Sequence, residues 1–288
     1  MILCATDFSP NAEVATTIAA RMANRTGLPL HVVHVIDSGA MSVDLDEAQL
    51  DRVRERLTRE ADRLRRHCPT VAEQLVQGAP DERIVELAEQ LRPRAVVIGA
   101  FGFRSPRRWL IGSIAERVVQ TSDVPVLAVR AREQIDAWTR GETQLRVLIC
   151  HDGTGGDDAL LGWTSFLRQI GPCELMIGHI CFPPPARSPV HAEVTEELRN
   201  DDDAAHVLGA DLTARWRRIG EGPSPTVRVE LGLGMAAHQI AGLVEREHAD
   251  LVVVGTHRRQ GLDRFWHGSI SQGVLRLAGV TVACIPRT

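Results

Sequence analysis

Short aliphatic and β-branched runs alternate along this chain with longer segments in which apolar residues recur every three or four positions. In the first half the runs are ILCAT (2–6), LHVVHVI (30–36), residues 72–77, AVVI (95–98) and PVLAV (125–129). They are too short for helices and close to continuously apolar, the pattern of strands buried on both faces of a parallel sheet. The intervening segments predict helices. Ser9 followed by Pro10 marks a helix start, and Gly27 marks its stop. Within 48–68, Leu50, Val53, Leu57, Ala61, Leu64 and Cys68 form one apolar stripe on an otherwise charged helix, whose charges are expected to face solvent. The pattern is that of βαβ units, an α/β protein with helices on both faces of its sheet.

The second half repeats the programme, with runs at 146–150, 174–181, 226–231, 250–254 and 280–285. Asp7 and Asp152 both follow a first strand, and His34 and His179 both lie near the end of a second, each pair 145 residues apart. From the third strand onward the offset is 156, as in Gly78 and Gly234 or Gly99 and Gly255. The difference is an insertion of about eleven residues after the second copy's second strand, where the proline-rich FPPPARSP stands. Two domains follow, 1–132 and 145–288, with the polar stretch 131–144 as the linker.

Composition narrows the classes of function. A chain of 288 residues with 44% apolar content and a formal charge of −4 is that of an ordinary globular protein, without the unopposed basic clusters that nucleic acid or an anionic membrane requires. Met1 leads directly into ILCAT with no basic leader or long apolar stretch, so a cytoplasmic location is expected. The six cysteines contain no C-x-x-C pair and most lie in strand-like runs, which predicts buried reduced thiols.

The candidate chemistry falls where ligands bind in such sheets, beyond the carboxyl ends of the strands. Asp7 follows strand one, Val35 and Ile36 end strand two, Gly78 follows strand three and Gly99 follows strand four. From Gly99 the chain reads GAFGFRSPRRWLIGS, a G-x2-G-x9-G-S array of Gly99, Gly102, Gly112 and Ser113 that leads into a helix. Glycines admit phosphate oxygens close to the backbone, and a helix start presents amides to an anion. The same Ser113 also begins SIAE, a capping-box pattern, as Ser269 begins SISQ; spacing alone leaves cradle and cap both open. His34 and His179 are explained by packing or by hydrogen bonds to backbone. His151, His257 and His267 cluster near the second copy's loops without a readable metal geometry, and no metal ligand is assigned.

The motifs ATDFS (5–9), LHVVHVID (30–37), VQGAPDERI (76–84) and the glycine array followed by VPVLAVR together resemble the universal stress protein family, in its tandem two-domain form, over almost the whole chain. The resemblance implies two Rossmann-like domains of the adenine nucleotide alpha hydrolase type. Each would have a five-stranded parallel sheet of order 3-2-1-4-5, and the two would pair as an internal pseudo-dimer that itself could form a homodimer. It further implies a stress-response regulatory protein that binds ATP, or AMP or ADP, with Mg²⁺. Ala5, Thr6, Asp7 and Val35 would hold adenine; Gly99, Gly102, Gly112, Ser113 and Ile114 would hold ribose and phosphates.

This chain departs from the family where a hydroxyl residue and a histidine commonly stand between the first two glycines; here they are Ala100 and Phe101. Arg104, Arg107 and Arg108 crowd the loop as solvated cations or phosphate partners. In the second copy Gly255, Gly268 and Ser269 keep the spacing, but Arg258 replaces the second glycine, so this site, with Asp152, is expected to bind weakly or not at all. Two other classes remain beside the nucleotide-binding regulator. One is a ligand-free interaction scaffold. The other is a slow ATP-hydrolysing or adenylating enzyme, for which the chain has no G-x4-G-K-[ST] loop and no ordered nucleophile, base and acid.

Overall fold

The structure is a computed structural model that describes residues 1–38, 46–102, 111–130, 133–151, 158–181, 210–211, 213–218, 222–232, 235–256 and 270–286. The five runs of the first half form β1 (Ile2–Ala5), β2 (Leu30–Asp37), β3 (Val71–Gly78), β4 (Ala95–Gly99) and β5 (Val126–Val129). Those of the second half form β6 (Leu145–His151), β7 (Cys173–Cys181), β8 (Thr226–Leu231), β9 (Leu251–Thr256) and β10 (Thr281–Pro286). All ten belong to one sheet of order β3-β2-β1-β4-β5-β10-β9-β6-β7-β8. Each half therefore has the order 3-2-1-4-5 in its own count, with parallel neighbours throughout. The halves meet at β5 and β10, the one antiparallel pair among the described strands, in a register centred on Leu127 opposite Ala283.

The helices close both faces. In the first half they are α1 (Pro10–Thr26), α2 (Glu47–Arg65), α3 (Pro80–Leu91) and α4 (Ser113–Thr121), followed by α5 (Glu133–Arg140). In the second half they are α6 (Asp158–Ile170), α7 (Ala236–Arg246) and α8 (Ile270–Leu277), with a further helical stretch over 213–218. α1 starts and stops as its sequence dictates. The Ser9 side chain accepts the Ala12 N–H at 3.2 Å, Pro10 opens the first turn, and Gly27 ends the helix at φ +66°, a conformation that only glycine adopts without cost.

α2 buries Leu57, Ala61 and Leu64 along its stripe, with Cys68 just beyond, and half-buries Leu50 and Val53. Its charges are not all solvated, because the helix lies on α1 and turns Glu60 and Arg63 into the seam. Glu60 accepts the Thr16 hydroxyl at 2.7 Å and Arg63 at 2.7 Å, while Arg63 also reaches the Thr17 hydroxyl at 2.7 Å. Burial pushes the Glu60 carboxyl up, but these hydrogen bonds and the Arg63 charge outweigh it and hold the pKa below the usual value.

The polar stretch 131–144 is more than a tether, since Glu133–Arg140 folds as α5 with Ile135 and Trp138 buried. Its charges mark the exposed face of an amphipathic helix. Asp136 pairs with Arg21, and the Arg25 guanidinium donates to the Arg140 carbonyl at 2.8 Å, so α5 is fastened to α1. On each face of the sheet the buried core runs through both halves; one contains Ile2, Trp138 and Phe166, the other Leu3, Val126 and Val282. Cys4, Cys68, Cys173 and Cys284 are buried and Cys150 half-buried, all as free thiols. Burial pushes the thiols of Cys150, Cys173 and Cys284 up to about 12, and that of Cys4 up as well. No described helix is long and apolar enough to cross a membrane.

Candidate functional site

In the order β3-β2-β1-β4-β5 the connections from β1 and β4 diverge to opposite sides, leaving a crevice beyond their carboxyl ends. One wall is the turn after β1. The Thr6 N–H donates to the Val33 carbonyl at 2.9 Å, the Thr6 hydroxyl accepts the Phe8 N–H at 3.0 Å, and Asp7 Oδ1 accepts the Ser9 N–H at 2.9 Å. Phe8 takes φ +60°, which turns the chain sharply into α1. Behind this turn His34 places Nδ1 2.7 Å from the Thr6 carbonyl, and because a carbonyl only accepts, Nδ1 is the donor. The ring also packs on Phe8 with centroids 4.4 Å apart, and the Arg56 guanidinium covers Phe8 at 4.5 Å. Burial lowers the His34 pKa from its ordinary value of 6.5, opposed by the Thr6 bond and the nearby Asp7 charge.

The other wall is the glycine loop. At the end of β4 the Ala100 N–H continues the ladder to the Val129 carbonyl at 2.8 Å, and the Ala100 carbonyl accepts the Gly112 N–H at 2.8 Å. That second bond draws the start of α4 back against the first glycines. Asn11, in the first turn of α1, donates from Nδ2 to the carbonyls of Phe101 and Val129, both at 3.3 Å. A Cβ on Gly99 would lie 2.7 Å from Asn11 Nδ2, and one on Gly102 would lie 2.6 Å from Asp7 Oδ2. At Gly99 a side chain would also press on the Ala12 backbone N at 3.3 Å, whereas at Gly102 it would have to turn the Asp7 carboxylate aside. Asp7 and Gly102, 95 residues apart in the chain, are thus brought side by side.

The capping-box alternative for Ser113 gives way to a different arrangement. The N-cap of α4 is Gly112, at φ −69° and ψ 140°, with no side-chain cap. Ser113 therefore stands inside the first turn with its side chain exposed, and Glu116 turns instead to Arg276 in the second half, accepting its guanidinium at 2.6 Å. Ile114 beside it is 37% exposed, and Ile270 at the start of α8 is likewise exposed.

The model of the universal stress protein family matches residues 1–130 and matches again over residues 145–286. The chain belongs to the universal stress protein family. A universal stress protein of Mycolicibacterium smegmatis is 23% identical over 296 residues, spanning 99% of this chain and 96% of that protein. Among solved structures, a universal stress protein from Archaeoglobus fulgidus covers 100% of this chain and 98% of its own, with a TM-score of 0.70 at 22% identity; the likeness is one of fold through both domains. Another from Archaeoglobus fulgidus, solved in complex with dAMP, is 28% identical, covers 43% of this chain and 93% of its own, with a TM-score of 0.36.

Within this universal stress protein the residues singled out from sequence in the first domain lie around one crevice. Ala5 and Val35 are half-buried at the ends of β1 and β2, Thr6 is buried, and Asp7, Gly102 and Ser113 are exposed. Residues 103–110, with Arg104, Arg107 and Arg108, lie outside the described residues. In the second domain Gly255 is half-buried in β9 opposite Ile285, as Gly99 is opposite Val129. Asp152, Arg258, Gly268 and Ser269 lie outside the described residues, as do His257 and His267. His179 Nδ1 is 3.0 Å from the His151 carbonyl, repeating the His34 and Thr6 contact. Among the described residues no group of three or more His, Cys, Asp or Glu side chains could hold a metal ion.

Sequence reasoning missed Asn11. It carries no motif, and its importance comes from β4 and β5 delivering two carbonyls to one amide group. Arg130 was also missed, although it closes the VPVLAVR motif; its guanidinium lies 4.8 Å from the Phe101 ring centroid.

Proposed function

We propose that the first domain binds an adenine nucleotide, ATP or its AMP or ADP relatives, and that the chain is a stress-response regulatory module rather than an enzyme of fast turnover. The reading rests above all on the close approach of Asp7 to Gly102, where a Cβ would fall 2.6 Å from a carboxylate oxygen. A glycine loop whose backbone lies bare beside a helix start is what phosphate binding needs. In this reading the backbone of Ala5, Thr6, Asp7 and Val35 lines the base. The amides of Gly102, Ser113 and Ile114 face the phosphates, helped by the partial positive charge at the start of α4, while Gly112, its own amide held by the Ala100 carbonyl, sets the bend of the loop beside them. Asn11 holds the loop open by fixing the Phe101 carbonyl. A Mg²⁺ ion brought with the nucleotide would neutralise phosphate charge, and Asp7 is the carboxylate of this wall placed to meet it or its waters.

Calorimetric titration with ATP tests this. One site per chain is expected, because Arg258 stands where the second domain would need glycine. Gly102→Arg, which copies that change into the first domain, is expected to weaken binding by at least about tenfold, because the long side chain fills the phosphate path and pairs with Asp7. Two equal sites, or unchanged affinity in Gly102→Arg, would refute the assignment. Absence of any nucleotide from denatured, freshly purified protein together with no heat of binding would favour a ligand-free scaffold.

A further inference from the structure

The junction between the two domains is not symmetric, and its asymmetry falls on the glycine loop. Arg130, the residue after β5, is buried; its Nη2 donates at 3.0 Å to the carbonyl of Leu275 in the last turn of α8. A guanidinium there also meets the negative end of the helix. The Arg130 backbone N–H donates to the Thr281 hydroxyl at 3.1 Å, and that hydroxyl lies 3.3 Å from the Arg130 carbonyl. On its other side the same guanidinium lies over the ring of Phe101, whose carbonyl is held by Asn11 in the loop. One side chain thus touches the first domain's loop and the second domain's helix. At the 156-residue offset of the repeat, the counterparts of Arg130 and Thr281 are Pro286 and Pro125. Neither proline has a guanidinium or a hydroxyl, so these two positions do not repeat the clamp from the second domain to α4.

A second strut runs beside it. Glu116, in the first turn of α4, accepts Arg276 at 2.6 Å and also Gln272, both from α8. The loop that ends in α4 and the side chain beside that loop therefore both terminate on one eight-residue helix of the other domain.

We propose that Arg130 is a joint that couples the first domain's glycine loop to α8, so that nucleotide occupancy at the first site changes the order of α8 in the second domain. The inference rests on the nucleotide reading above for its input. The Ala100 and Phe101 departure then acquires a role: the residue between the glycines faces the domain junction through Phe101. By linkage, whatever binds against α8 alters affinity at the first site by the same factor.

Hydrogen exchange read by mass spectrometry on the full chain tests this. Without nucleotide, Phe101→Ala is expected to speed exchange over 270–277 by about threefold or more, and Arg130→Met likewise. The double variant is expected to be no faster than the faster single one, as for two links in series. With saturating ATP, the wild type is expected to slow exchange in both α4 and α8, and Phe101→Ala in α4 alone. Phe101 is half-buried in a loop, so its variant tests the joint even where loss of the buried Arg130 prevents folding. Exchange of α8 in ligand-free Phe101→Ala equal to wild type overturns the proposal, as does ATP that protects α4 and leaves α8 unchanged. Failure of ATP to bind at all overturns the proposed function and the coupling to occupancy with it, while the ligand-free comparison still decides whether the joint exists.

Discussion

At the residue scale, His34 shows how a side chain with no chemistry of its own shapes a site. Its Nδ1 fixes the Thr6 carbonyl, and its ring backs Phe8, so the turn that carries Asp7 is held from behind. Burial lowers its pKa below the ordinary 6.5, so between the two values the unfolded chain takes up more protons than the folded one. The stabilisation is fully present above about pH 6.5 and is lost as the pH falls through the depressed native value. Urea midpoints measured from about pH 7.5 to about pH 5 are expected to fall less steeply in His34→Gln than in the wild type. An unchanged slope would assign the decline to other groups. His67, also lowered by burial and by neighbouring arginines, acts in the same direction and remains in the variant. The repeat of His34 at His179 was legible in the sequence, and a hydrogen bond to backbone was among the readings; the partner carbonyls, on Thr6 and His151, are supplied by the neighbouring strand and became visible only in the fold.

At the element scale, two serines that look alike in sequence do different work. Ser9 caps α1, accepting the Ala12 N–H, whereas Ser113 sits one residue inside α4 behind an N-cap glycine. Ser9→Ala is expected to cost about 1 kcal/mol, and Ser113→Ala less than about 0.5 kcal/mol, by denaturant unfolding. Equal losses would restore the capping-box account of Ser113. The pattern S-x-x-E could not separate these cases, because Glu116 is drawn away by Arg276 from a helix 160 residues distant in the chain. The helix 133–140 was hidden for a related reason. Its charged residues dominate the composition, while Ile135 and Trp138, which anchor it, are too few in eight residues to give a clear period.

At the scale of the whole molecule, one ten-stranded sheet joins what the repeat divides. Trp138 is fully buried in a core cluster that also contains Ile2 from the first half and Phe166 from the second. Trp138→Ala is therefore expected to cost about 3–5 kcal/mol and to lower a single calorimetric transition that includes both halves. Two separate transitions in the wild type would show that the halves unfold independently. The Arg130 joint lies within that continuity, since α4 and α8 both pack in the core cluster that contains Val126 and Val282.

The sequence by itself determined the ten strands, the repeat, the order of elements, the caps of α1 and the position of a glycine array after the fourth strand. All of these are written in local periodicity and turn chemistry, which act over a few residues. It also put Asp7 and Gly102 on the carboxyl ends of their strands, but not side by side. That juxtaposition, the Asn11 brace, the burial of Trp138 and the Arg130 clamp were decided by tertiary structure. Each depends on a contact between segments far apart in the chain, and such a contact leaves no period in either one.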